Sequence, residues 1–259
     1  MMGKRILIFT LVFSICLVIL TQKPQAQQTQ PFLDNKNYAE LIEDYPFPSL
    51  KPIVIVIDPG HSTQFNYDQE PIAPGSLITK RKYGTGTAGN ITGVMERDIV
   101  LNVSFILRSL LKDENYVVYM TRENHLVMLG NIERVNIANY VKADLMIRIH
   151  CDSSIYPSND GASVLYPAPI YYAVDIANIS QTYGNIIKNT LIDEIGMDDF
   201  GSFERDDQTG FNFSKVPNIT IEMGFLSNPK EEQLLITPSY QLRLAYALRD
   251  GINTIFNPS

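Results

Sequence analysis

Several things are scarce in this sequence, and each scarcity closes off a class. Only two cysteines occur, Cys16 and Cys151. Cys16 falls in a leader that is read below as removable, so the mature chain keeps one thiol and no disulfide. Its stability must then come from a packed core. No run of more than three basic residues occurs, and the formal charge is −7. An acidic chain without a long basic run is a poor candidate for nucleic acid or for an anionic membrane surface. No apolar run reaches the ~20 residues that a spanning helix needs. There is no H-E-x-x-H, which excludes the helix-borne metalloprotease pattern. There is no internal repeat and no sign of a second folded domain.

The N-terminus carries Lys4 and Arg5, then an apolar run from Ile6 to Leu20 interrupted only by Thr10 and Ser14. A short basic region followed by ~7–15 apolar residues is the pattern of a secretory signal. Residues 1–26 are therefore read as a signal peptide, with a retained anchor as the alternative because Pro24 sits poorly at a cleavage site. Cys16 has no small residue before it, which argues against lipid attachment. Removing residues 1–26 takes away Lys4, Arg5 and Lys23 and no acid, so the charge becomes −10. Residues 27–50 are Gln-rich and then carry Pro31, Pro46 and Pro48, as a linker does, with one short helix near Tyr38–Glu43. Residues 51–259 remain, enough for one domain with a large core. Export to the cell envelope follows, or membrane anchoring if the signal is retained.

The stretch that organises this domain is Ile53-Val54-Ile55-Val56-Ile57-Asp58-Pro59-Gly60-His61. Five Ile and Val residues in a row predict a strand buried on both faces. Asp58-Pro59-Gly60 stops it and leaves His61 just past its carboxyl end, the edge where open α/β sheets bind ligands. Residues 62–93 have little periodicity and predict a long loop, of the kind that is functional or disordered. Helical spacing of apolar residues marks Val94–Glu114, Leu129–Lys142, Tyr172–Ile195, Glu231–Ile236 and Ser239–Phe256. Strands are expected at Tyr116–Thr121, Asp144–His150, Gly161–Tyr166 and Ile219–Met223. The alternation argues for a single α/β domain, its central sheet mostly parallel or mixed, with helices on both faces.

Two of these strands end in histidine, His61 and His150, where an apolar strand has no packing reason to do so. An ordinary hydrogen-bonded histidine at the sheet edge is the plain alternative for either one. Glu222 stands in the apolar run Ile219-Thr220-Ile221-Glu222-Met223, where a carboxylate is costly unless paired, metal-bound or protonated. Glu96 in the first turn of a helix also suits the helix dipole. Two imidazoles and one carboxylate with an open fourth position make a catalytic zinc set, and a second carboxylate is left over as a base. Cys151 beside His150 raises a rival, a Cys–His hydrolase, but adjacent residues on a strand face opposite ways. His125 is read as a loop histidine.

At this point the chain resembles a known family. Ile57-Asp58-Pro59-Gly60-His61, Gly93-Val94-Met95-Glu96-Arg97-Asp98, Thr121-Arg122, Arg134 with Ile137-Ala138-Asn139, Ala143-Asp144 leading to Ile149-His150, and Val216-Pro217 through Glu222-Met223-Gly224-Phe225-Leu226-Ser227-Asn228-Pro229 are similar, in that order, to the zinc-dependent N-acetylmuramoyl-L-alanine amidases of bacterial cell walls, the amidase-3 family. The resemblance runs from about Pro52 to the C-terminus. It implies that His61, Glu96 and His150 hold Zn2+, that Glu222 is the catalytic carboxylate, and that the substrate is peptidoglycan. Arg134 is expected to help zinc stabilise the oxyanion by ordering the groups around it. Asp206 and Asn212 lie where the family places substrate-edge residues.

The chain departs from the family in three places. Ser62-Thr63 opens a long loop where Gly-Gly and a short one are usual. The loop extension with Lys80-Arg81-Lys82 resembles a Gram-positive branch. Arg148 and Cys151 flank His150 where small residues are common, and His125 stands where an acid is more usual. The reading is an exported amidase that cleaves between N-acetylmuramic acid and L-alanine, acting as a monomer, with any activator protein unspecified. The alternatives are an inactive peptidoglycan-binding or regulatory protein on the same fold, and a zinc peptidase acting within stem peptides.

Overall fold

The computed structural model describes residues 51–64 and 66–256. The stretches read above as signal and linker, the short helix expected near Tyr38–Glu43, and Cys16 lie outside the described residues. Strand β1 (Val54–Pro59) is followed by a hairpin, β2 (Asn66–Pro71) and β3 (Thr79–Tyr83). Then come α1 (Glu96–Asp113), β4 (Val117–Met120), α2 (Asn131–Val141), β5 (Leu145–Asp152) and β6 (Ala162–Pro167). A 3-10 turn (Tyr171–Ala173), α3 (Ala177–Ile195), β7 (Asp199–Arg205), α4 (Thr209–Asn212), β8 (Asn218–Phe225), α5 (Pro229–Leu235) and α6 (Pro238–Phe256) complete the chain. No helix among the described residues is long and apolar enough to cross a membrane.

Six strands form one sheet in the order β4-β1-β5-β8-β6-β7. All neighbours are parallel except β6 against β8. Alternation along each strand sorts its side chains onto two faces. On one face lie Ile55 and Ile57 of β1, Ile147, Ile149 and Cys151 of β5, Ile219, Ile221 and Met223 of β8, and Ala162 and Val164 of β6. They form the main core with Ile99, Val103 and Leu107 of α1, Ile187 and Leu191 of α3, and Leu244, Leu248 and Ile252 of α6. The opposite face carries a smaller core, in which Val56 and Met146 meet Val135 and Ala138 of α2. Farther along the same strands that face turns polar. Asp58, Arg148 and Thr220 stand in one register row, and His150, Glu222 and Ser163 in the next.

The predicted strand and helix order is present, with differences that include the following. The predicted long loop contains the β2–β3 hairpin, whose strands Asn66–Pro71 and Thr79–Tyr83 are polar and so give little apolar alternation. Strand β7 lies at the sheet edge with Gly201 at φ 131 and mostly exposed side chains, and it reads as a polar loop. The helix expected from Tyr172 begins at Ala177, because Tyr171 takes a left-handed φ of 52 and the chain makes a 3-10 turn first.

Candidate active site

The site grows from the turn after β1. His61 leaves the strand with φ 67, a left-handed conformation rarely held by a non-glycine residue. Buried guanidinium groups hold the turn there. Arg122 donates to the carbonyls of Pro59 (3.0 Å) and Gly60 (2.7 Å). Arg134 donates to the carbonyls of Pro59 (2.9 Å) and His61 (2.8 Å). Burial, with Arg134 nearby, lowers the Arg122 pKa to about 10. Beneath the turn, Asp58 is fully buried and accepts from Arg134 Nη1 (2.7 Å), Arg148 Nε (2.8 Å) and the Thr121 hydroxyl. Burial alone would raise its carboxyl, but the charges of Arg134 and Arg148 outweigh that and hold it well below the usual carboxylate range.

Three donor atoms converge above this frame. His61 Nε2 lies 2.8 Å from Glu96 Oε1, His150 Nδ1 lies 3.0 Å from the same oxygen, and the two nitrogens are 3.1 Å apart. Burial would raise the Glu96 carboxyl, yet hydrogen bonds from His150 and His61 hold it well below its ordinary value. Burial lowers the proton affinity of His150. A neutral imidazole and a carboxylate are the forms that ligate a metal. Protons alone serve this triangle badly, because two ring nitrogens face one another and share a single acceptor. One divalent cation answers all three lone pairs at once, and the donor set matches zinc. The other Glu96 oxygen accepts from the Thr87 backbone N–H (3.0 Å), which fixes the carboxylate.

Two glycines permit this crowding. A Cβ at Gly60 would come within 2.3 Å of the His150 ring, and one at Gly86 within 2.9 Å of both His61 and Glu96. Gly86 also has φ +79. The segment Gly84-Thr85-Gly86-Thr87 therefore wraps the cluster with bare backbone.

Glu222 stands in register beside His150 on the neighbouring strand, so both point to the polar face. Its Oε2 is buried and has no protein partner. Burial, with the negative charges of Glu96 and Asp152 nearby, pushes its carboxyl well above the ordinary range. That direction favours the protonated form, which suits a group that takes up and returns a proton.

The other candidates fall elsewhere. Arg134 braces the His61 turn through backbone. Asn212 is buried, and its amide donates to the carbonyls of Ile72 (2.9 Å) and Asp206 (2.7 Å), tying the hairpin connection to the loop after β7. Asp206 is exposed, and that contact uses its main chain. His125 faces Asp98 at 3.4 Å, outside the triangle. Cys151 points into the main core, and burial pushes its thiol up, which removes the reactive-cysteine rival. Sequence reasoning did not find the bracing roles of Arg122 and Arg148, the packing of Gly86, or Ser163. Arg122 stands in a stretch singled out from the sequence, but its role depends on main-chain carbonyls distant along the chain, and that of Gly86 on the side chains of His61 and Glu96.

Residues 55–254 match the amidase-3 family, described as N-acetylmuramoyl-L-alanine amidase. The N-acetylmuramoyl-L-alanine amidase AmiC of Escherichia coli O6:H1 is 27% identical over 243 residues, covering 80% of this chain and 53% of AmiC. The chain thus spans about half the length of that relative. The N-acetylmuramoyl-L-alanine amidase Rv3717 of Mycobacterium tuberculosis is 28% identical over 211 residues, covering 77% of this chain and 85% of that protein. Among solved structures, the amidase Ami1 of Mycobacterium smegmatis superposes with a TM-score of 0.72 at 25% identity, covering 80% of this chain and 98% of Ami1. With its match running from within β1 into α6, this chain belongs to the amidase-3 family of N-acetylmuramoyl-L-alanine amidases.

Proposed function

We propose that this protein is a zinc-dependent amidase that hydrolyses the bond between the lactyl group of N-acetylmuramic acid and the L-alanine of a peptidoglycan stem peptide. The observation that carries the reading is the convergence of His61, Glu96 and His150 with Glu222 in register beside them. The activities after which the relatives are named support the substrate. Zinc bound there supplies an acidified water and polarises the scissile carbonyl. His61, Glu96 and His150 hold it. Arg122 and Arg134 keep the His61 turn in its strained conformation, and Asp58 keeps Arg134 and Arg148 in place. Glu222 accepts the proton of the attacking water and delivers one to the departing nitrogen. The products are a lactyl carboxylate and a free L-alanine amine. An inactive binding protein on this fold has no use for a carboxyl beside the triangle whose inner oxygen lacks a protein partner, so the hydrolase is favoured.

Digestion of purified peptidoglycan is expected to release chains whose new amine terminus is L-alanine. A new amine on an internal stem residue would make the protein a peptidase, and no new amine would make it a binding or regulatory protein. The Ile6–Leu20 run supports export. N-terminal sequencing of the exported form should begin near residue 27; recovery of the intact chain from membranes alone would mean an anchor, and recovery from the cytosol would contradict both.

A further inference from the structure

The register row that begins with His150 does not end at Glu222. It continues across the antiparallel boundary to Ser163 of β6. Directly opposed residues of an antiparallel pair share a face, with Cβ atoms ~4.5–5.5 Å apart. The neighbours of Ser163, Ala162 and Val164, belong to the main core, as do Ile221 and Met223 on either side of Glu222. Ser163 and Glu222 therefore both point away from that core, onto the polar face. Ser163 is 1% exposed and its hydroxyl has no protein partner. One row back, Thr220 is 3% exposed and its hydroxyl is likewise without a protein partner. Ser163 Oγ, Thr220 Oγ1 and Glu222 Oε2 are thus unpartnered buried polar atoms on two adjacent strands.

Burying a hydroxyl without a partner is unfavourable. Alanine at 163 would fill the same strand position without that penalty. A hydroxyl has one property that suits this neighbour: it can donate to a carboxylate or accept from a carboxylic acid. A lysine or arginine here would favour the charged form of Glu222 alone. A group that must take up a proton and return it needs a partner that serves both states.

We propose that Ser163 is a positioning residue for Glu222. It holds the inner oxygen of that carboxyl through one bridging water, which Thr220 also contacts. The two side chains make no direct hydrogen bond, and one water spans such a gap at little loss in enthalpy. The proposal rests on the reading of Glu222 as the proton carrier.

The test uses the zinc-loaded enzyme and a purified muropeptide. Ser163→Ala should lower kcat roughly 10-fold, a typical loss for an outer-shell partner. KM, zinc content and Tm should stay near wild type. Ser163→Thr, which keeps the hydroxyl, should recover most of the turnover. In a Glu222→Gln background, Ser163→Ala should add no further loss. Unchanged kcat in Ser163→Ala would overturn the proposal, as would equal losses in Ser163→Ala and Ser163→Thr. A full additive loss in the Glu222→Gln background would show that Ser163 acts independently of Glu222, and also overturns it. If Glu222→Gln alone keeps wild-type turnover, the reading of Glu222 fails and the proposal falls with it; that result is separate from a failure of Ser163.

Discussion

Glu222→Gln is expected to lower turnover by about 10²–10⁴-fold, the range for loss of a positioned general base. The substitution keeps the shape of the side chain and can still donate and accept hydrogen bonds. It removes only the ability to take a proton from water and hand it on. Zinc content should be unchanged, because His61, Glu96 and His150 form the triangle without Glu222. Tm should also hold, since the displaced carboxyl is already disposed toward its neutral form by burial. A ligand role would instead release zinc, and a structural ion-pair role would destabilise the fold by several kcal/mol. Activity, bound metal and thermal unfolding measured on one preparation separate the three. A fully active variant would remove the proton-carrier role.

Asp58→Ala should have the largest effect on stability. It strips the shared acceptor from Arg134 and Arg148, which are 3% and 8% exposed at their side chains. Breaking a buried ion pair on one side costs about 3–5 kcal/mol, because an uncompensated charge stays behind. For a domain of this size that corresponds to a fall in Tm of roughly 6–20 °C. The loss should reach the site as well, since Arg134 is the group that holds the His61 carbonyl. Its pH dependence follows from the sign of the shift. The folded pKa of Asp58 is depressed, so the unfolded chain binds the proton more readily. The stabilisation is complete above the ordinary aspartate range and fades as pH falls through the folded value. A variant melting within 2 °C of wild type would contradict this account, on the ~2–4 °C per kcal/mol scale.

The sequence shows the site's ends more clearly than its supports. His61 and His150 are visible because imidazole is out of place at the end of an apolar strand. Glu222 is visible because a carboxylate is out of place inside one. Those anomalies are local, and a reader of one strand can see them. The supports are long-range. Arg122 and Arg134 hold the turn at Pro59-Gly60-His61 from more than 60 residues away, and they do so through main-chain carbonyls. The motifs drew out Arg122 and Arg134, but which carbonyls they hold is set only by the fold. The β2–β3 hairpin and β7 were hidden for another reason. They are polar or edge strands whose side chains face solvent, so the alternation that marks a core strand is weak. Ser163 is hidden by its size, because one serine in a buried strand has no signal until the register sets it opposite Glu222.

The most direct measurement is metal analysis joined to activity on one preparation. The account predicts about one zinc per chain. Chelation should abolish peptidoglycan amide hydrolysis, and added zinc should restore it. His150→Ala should lose most of the metal and the activity with it, whereas His125→Ala should keep both. Full hydrolysis by the chelated enzyme, or full zinc in both His61→Ala and His150→Ala, would contradict it.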